Sequence, residues 1–178
     1  MRANQFKTVV FICTGNYYRS RFSEYLFNAL AKKHGLHWRA ISRGLRTWKV
    51  AAIEGPLSEF AAYRLTAIGV PFDRMRFPIQ LSEADLEKAD LVVALKRAEH
   101  YAMMVEQFPA WADRIEYWHI NDMDCATANE ALPICEACVK SLAKMLLAEQ
   151  KRQEAPAQLL RSGAKSKIVF GPKRFRIY

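Results

Sequence analysis

Apolar and polar positions along this chain switch between two rhythms. Thr8 to Ile12 is a continuous β-branched and aromatic run that stops before Gly15-Asn16, which predicts a buried strand followed by a tight loop. From Arg19 to about His34, apolar residues fall at Phe22, Tyr25, Leu26, Ala29 and Leu30, one stripe of a helix that Gly35 would stop. Trp38 to Ser42 predicts a second strand closed by Gly44. The stretch from Pro56 to Ile68, with Pro56 in the first turn and Gly69 and Pro71 behind it, predicts a second helix.

The alternation continues. Ser82-Glu83-Ala84-Asp85 has the form of a capping box with Asp in the place of Glu, opening a short helix to Ala89. Asp90 to Leu95 is a strand apolar on both faces, as parallel strands are. A helix is expected from Arg97 to Phe108, a fourth strand from Ile115 to Ile120, and a long final helix from about Asn129 to Glu154 with Pro133 near its start. Beyond Pro156 the pattern degrades; Lys167 to Phe170 reads as a strand or as irregular chain. Strands alternating with helices predict an α/β fold: one three-layer domain, a four-stranded parallel sheet with helices on both faces, in flavodoxin-like order.

Length fits one such domain, since 178 residues bury a proper core but do not comfortably make two. Apolar residues are 51% and charged residues 25%, ordinary for a soluble globular protein. No apolar stretch approaches the ~20 residues of a membrane span, and Val9 to Cys13 is too short for a signal-peptide core, so a cytoplasmic protein without membrane partners is expected. The net charge is +9, but residues 150–178 hold eight basic side chains against Glu154 alone. The division read from this is a domain over residues 1–150, nearly neutral, and a basic C-terminal extension over 151–178. Phe170, Phe175 and Tyr178 interleave with its basic residues, a pattern also found in nucleic-acid binders. A solvated or packing role for the tail is preferred here to nucleic-acid docking.

The chemistry concentrates in Cys13-Thr14-Gly15-Asn16-Tyr17-Tyr18-Arg19-Ser20. A strand delivers this segment and a helix leaves it, so its backbone amides face a helix N-terminus, where a dianion is favoured. Five residues between Cys13 and Arg19 provide enough amides to nest one phosphate. Gly15 and Asn16 are the types that most readily adopt the positive φ a tight ring needs. Arg19 can fork two N–H bonds onto phosphate oxygens. The field of the loop favours the thiolate form of Cys13, and Ser20 is placed to donate to it. A thiolate in line with phosphorus gives a covalent thiophosphate that water later hydrolyses. Inorganic phosphate or sulfate would fit the same loop, and no cofactor or metal is called for.

With these residues the chain resembles the low-molecular-weight protein tyrosine phosphatase family, which also contains arsenate reductases. The resemblance runs from the loop through Ser42-Arg43-Gly44, Gln80-Leu81, Glu83 to Leu86, Asp90 to Val93, and Trp118-His119-Ile120-Asn121-Asp122, over roughly residues 6–150. It implies a phosphomonoester hydrolase acting on phosphorylated protein or small aryl phosphates. Cys13 would be nucleophile, Arg19 phosphate clamp and Asp122 general acid. Thr14, Gly15, Asn16, Tyr17, Tyr18 and Ser20 would form the binding loop, with Ser42 bonding Asn16 and Trp48 lining the cleft. Asp124 is the alternative acid, because the family's Asp-Pro is here Asp122-Met123. Tyr18 replaces the family's second cysteine, Arg76 stands at its usual His, and Arg21 at its usual Pro, where it would extend the positive field at the cleft. A non-catalytic phosphate-binding module is the rival reading. Arsenate reduction is disfavoured, since Val93-Ala94-Leu95 lacks a resolving thiol.

Cys135-Glu136-Ala137-Cys138 is a C-x-x-C within the expected final helix, better read as core packing than as a metal or redox site. Cys125 follows the acid segment closely. The four histidines, His34, His37, His100 and His119, form no cluster and read as surface or boundary residues.

Overall fold

The computed structural model describes residues 6–49, 55–121 and 128–161. Its elements are β1 (Lys7–Cys13), α1 (Arg19–His34), β2 (Trp38–Gly44), α2 (Glu59–Ala67), α3 (Glu83–Lys88), β3 (Leu91–Ala94), α4 (Arg97–Gln107), β4 (Glu116–Tyr117) and α5 (Ala128–Arg161). The four strands form one parallel sheet in the order β2-β1-β3-β4. β1 is central, pairing with β2 from Lys7↔Trp38 to Cys13↔Gly44 and with β3 from Val9↔Leu91 to Ile12↔Ala94.

Alternation along β1 divides the core. Val9, Phe11 and Cys13 point into one cluster with Phe22, Leu26 and Phe27 of α1 and Leu132, Cys135 and Val139 of α5. Val10 and Ile12 point into the other, with Leu86 of α3 and Met104 of α4. Every residue of β1 past Lys7 is buried, so the strand has no polar face, as a sheet covered on both sides demands. Fully buried Phe11, Phe22 and Phe27 each contribute roughly 1.5–3 kcal/mol by leaving water.

The expected elements are all present, with instructive shifts. β4 is only two residues long. The chain beyond it still bonds to the last residue of β3 and the first after it: Trp118 N–H donates to the Ala94 carbonyl at 2.8 Å and Ile120 N–H to the Leu95 carbonyl at 2.9 Å. His119 bridges Lys96 in antiparallel sense. Helix α2 starts at Glu59, not in the turn holding Pro56. The residues before it bond elsewhere: the Pro56 carbonyl accepts from Arg21 Nη1 at 3.2 Å and Ser58 N–H donates to the Tyr17 carbonyl at 3.2 Å. Helix α5 runs 34 residues, through Pro133 and Pro156, so position 150 lies inside a continuous helix. The stretch Lys167 to Phe170, named above as a strand or irregular chain, lies outside the described residues.

The capping box is real. Ser82 accepts from Asp85 N–H while the Asp85 carboxylate accepts from Ser82 N–H, and the same carboxylate is forked by Arg43 of β2 at 3.0 and 2.8 Å. Burial works to raise the Asp85 carboxyl, but hydrogen bonds from Arg43 and Ser82 outweigh it and hold it below the usual range. A depressed native value stabilises the fold above the unfolded carboxyl's value of about 3.9, and the contribution fades as pH falls through the native value. Asp85→Asn is expected to cost about 1–2 kcal/mol at pH 7, and the difference from wild type should shrink toward pH 3 in urea unfolding.

Candidate active site

The loop from Cys13 to Ser20 leaves the carboxyl end of β1, the edge where parallel sheets place their sites. It is fixed from several sides by backbone bonds. Leu45 N–H donates to the Cys13 carbonyl at 3.0 Å, Arg46 N–H to the Thr14 carbonyl at 2.8 Å, and Ser58 N–H to that of Tyr17. Helix α1 begins just behind it with no side-chain cap and no acidic residue in its first turn, which leaves the positive end of its dipole uncompensated at the loop.

Asn16 organises the ring. It is the one non-glycine residue at positive φ among those described, at 52°. Of the two residues expected to supply that conformation, Asn16 does and Gly15 does not. The Asn16 carbonyl oxygen Oδ1 accepts from Ile79 N–H at 2.9 Å, which orients the amide. Its Nδ2 then donates to Ser42 Oγ at 2.8 Å and Ser20 Oγ at 3.1 Å. With Ser20 Oγ accepting from Asn16, its own proton is available to the Cys13 sulfur 3.0 Å away, and an anionic sulfur could only accept it. Ser42 continues the chain, donating to Glu24 Oε2 at 2.5 Å. Glu24, buried on α1, is gripped by Arg76 through Nη1 at 2.8 Å and Nη2 at 2.5 Å. Arg76 therefore balances the buried Glu24 carboxylate under the loop.

Cys13 and Arg19 are 3% and 1% exposed. Arg19 is held at both terminal nitrogens: Nη1 donates to the Ile120 carbonyl at 3.1 Å and Nη2 to Glu99 at 3.1 and 3.3 Å. Thr14 Oγ1 donates to the same carboxylate. Glu99 lies in the first turn of α4, beside buried His100, whose Nε2 is 3.4 Å away. Burial alone would raise the Glu99 carboxyl, but His100, Arg19 and Thr14 hold it far below the usual carboxylate range.

Other expectations fare unevenly. Tyr17 is half-buried, whereas Tyr18 is turned into the core at 4% exposure. Trp48 is largely exposed on a single 3-10 turn, Thr47–Lys49, directly after β2. Arg21 does not extend a field at the cleft. It is fully buried and donates to the carbonyls of Pro56, Asp73 and Arg76 and to the Tyr25 hydroxyl, so it ties the segments around 56 and 73–76 to α1. His100 is fully buried, unlike His34 and His119, because α4 turns it under the sheet edge to accept from Lys96 N–H at Nδ1. Cys135 packs in the core against Ser23 Oγ at 3.0 Å, and burial pushes its thiol up to about 12. Asp122, Asp124 and Cys125 lie outside the described residues.

Sequence reasoning missed Glu99, Glu24 and the tight contact at Gly44. Two signals pointed toward them: Glu99 opens the helix after a central strand, and Glu24 lies one turn past Ser20. Gly44 is the closest approach of β2 to the loop. A Cβ there would stand 2.6 Å from Thr47 Cγ2, 2.9 Å from Asn16 N and 3.0 Å from Asn16 Cβ. The Asn16 backbone cannot retreat without opening the ring.

A four-stranded parallel sheet ending in a cysteine-to-arginine loop defines a small α/β class of phosphatase-like proteins. The family model described as "Low molecular weight phosphotyrosine protein phosphatase" matches residues 8–155, and the chain belongs to that family of hydrolases. Among curated proteins it is 30% identical over 107 residues to "Protein-arginine-phosphatase" of Bacillus subtilis, covering 60% of this chain and 67% of that protein. It is 36% identical over 90 residues to "Low molecular weight protein-tyrosine-phosphatase YfkJ" of the same organism, covering 49% of this chain and 55% of that protein, so this match spans about half of the relative's length. The crystal structure of YfkJ superposes with a TM-score of 0.67 at 25% identity, over 86% of this chain and 99% of that one.

Gly44→Ala is expected to reduce affinity for inorganic phosphate or vanadate by about tenfold or more and to lower stability by roughly 1–3 kcal/mol, because displacement of Asn16 disrupts the ring. Titration calorimetry with a urea melt checks both; unchanged phosphate affinity would show that the ring tolerates the methyl group.

Proposed function

We propose that the protein is a phosphomonoester hydrolase that works through a cysteinyl phosphate on Cys13, with phosphotyrosine-like groups as substrates. The observation that carries this reading is the chain of oriented hydrogen bonds from Ile79 through Asn16 to Ser20 and the Cys13 sulfur. That order delivers a donor to a sulfur anion, useful when the sulfur is nucleophile and again when it is leaving group.

In the first step the Cys13 sulfur attacks phosphorus, forming S–P as the P–O bond to the substrate breaks. The departing oxygen takes a proton from an acid, assigned here to Asp122 with Asp124 as the alternative. In the second step the same carboxylate removes a proton from water, which attacks phosphorus; P–S breaks, phosphate departs and the thiolate returns. Arg19 and the loop amides carry the charge on the equatorial oxygens throughout. Trp48, exposed on the turn that follows β2, would flank the aryl group of the substrate.

A second reading concerns the leaving group. The relative aligned over 107 residues bears the name of an arginine phosphatase, so a phosphoarginine substrate is weighed against phosphotyrosine. Chemistry at Cys13 is the same in both, and only the bond to phosphorus differs, P–N in place of P–O.

Hydrolysis of p-nitrophenyl phosphate near pH 5–6 tests the reading. Wild type should turn over, and Cys13→Ser should lose about three orders of magnitude or more. Of Asp122→Asn and Asp124→Asn, one should lose about 10²–10⁴-fold and the other little, which assigns the acid. Equal rates for wild type and Cys13→Ser, or phosphate binding without turnover, would reject the mechanism. Parallel assays on phosphotyrosine and phosphoarginine peptides separate the two substrate classes.

A further inference from the structure

We propose that Glu99 is a positioning residue that presets Arg19 for the phosphoryl group. This rests on the phosphatase reading for its kinetic readout, while its binding readout does not depend on turnover. Four observations support it. The carboxylate receives Arg19 Nη2 on both oxygens, at 3.3 and 3.1 Å. It also receives the hydroxyl of Thr14, the residue that follows the nucleophile in the loop. Its own position is set by α4, and buried His100, whose Nδ1 accepts from Lys96 N–H, places its Nε2 3.4 Å from Glu99 Oε1. The opposite terminal nitrogen of Arg19 is fixed by the Ile120 carbonyl at 3.1 Å.

Together these contacts set the guanidinium plane by anchors in two separate elements, the start of α4 and the chain after β4. A guanidinium on a long side chain otherwise loses rotamer freedom when it engages a phosphate, and that ordering weakens binding. Here the ordering is completed by folding. Glu99 further ties the two ends of the loop, Thr14 and Arg19, to one rigid carboxylate. None of these partners adjoins Glu99 in sequence except His100, so the arrangement is a product of the tertiary fold.

Coulomb's law alone predicts the opposite effect of removing Glu99, because deleting a negative charge near an anion site should strengthen anion binding. The sign of the change is therefore diagnostic. Glu99→Gln and Glu99→Ala are compared with wild type, each also in an Arg19→Ala background, by phosphate calorimetry and by kcat and KM on p-nitrophenyl phosphate. Urea midpoints identify the folded fraction, and Glu99→Gln, which keeps the side-chain volume, serves if the alanine variant does not fold. With Arg19 present, phosphate affinity should fall about tenfold or more and kcat should fall further than KM rises. With Arg19 absent, replacing Glu99 should cost far less, only what its bond to Thr14 contributes, because the residue acts mainly through the guanidinium. Tighter phosphate binding or higher kcat/KM in Glu99→Gln would overturn the proposal and mark the carboxylate as a competitor of substrate. Equal losses in both backgrounds would also overturn it, as a general structural effect. A wild type that binds phosphate without hydrolysing it rejects the phosphatase reading alone, and the binding cycle still decides the role of Glu99. A wild type that does neither ends both.

Discussion

The amide of Asn16 is the constraint on which the site depends. A ring of consecutive backbone amides around one small anion needs a residue in the left-handed region, and the side chain of that residue must also hold the ring closed. Asn16 does both, because its carbonyl oxygen is claimed by the Ile79 amide and its nitrogen is left with two acceptors, Ser20 and Ser42. Glycine could adopt the backbone angle but would leave both serines without that donor. Aspartate could adopt it too, but would set a charge beside the sulfur and give nothing to either hydroxyl.

Beneath that ring lies a set of buried charges in near balance. Glu24 is met by Arg76, and Arg19 by Glu99, each pair within hydrogen-bond reach. Arg21 is different: its contacts are with carbonyl oxygens and the Tyr25 hydroxyl and ring. A cation solvated by carbonyl dipoles in place of a carboxylate fastens distant segments without cancelling the charge. It performs in the first turn of α1 what backbone hydrogen bonds perform elsewhere, joining chain around residues 56 and 73–76 that has no strand or helix of its own.

The fold was legible because its signals are local. The β-branched run before Cys13, the stripe from Phe22 to Leu30 with Gly35 behind it, and the box at Ser82–Asp85 each fix an element from a few neighbouring residues. The loop that holds Cys13, Asn16 and Arg19 was legible for the same reason, its residues being spaced within one short segment. What escaped was set by tertiary pairing. Glu99 is eighty positions from Arg19, and no periodicity connects them. The shortness of β4 follows from hydrogen bonds to Ala94 and Leu95, which no property of residues 115–120 announces. Arg21 read as a site residue because it adjoins the loop, yet one step along a helix turns a side chain by about 100°, enough to carry it into the interior.

Helix α5 touches both poles of the molecule. Near its start, Cys135 lies against Ser23, one turn beyond Arg19. Farther on, Gln150 receives His37 N–H and donates to the Gly35 carbonyl, at the end of α1 and the entrance to β2. Fifteen residues of helix separate these contacts, a rise of roughly 22 Å. Lys151 and Arg152, next to Gln150, thus lie on the side of the sheet where strands begin, whereas Cys135 sits where β1 finishes. One helix therefore braces both the entrance and the exit edges of the sheet.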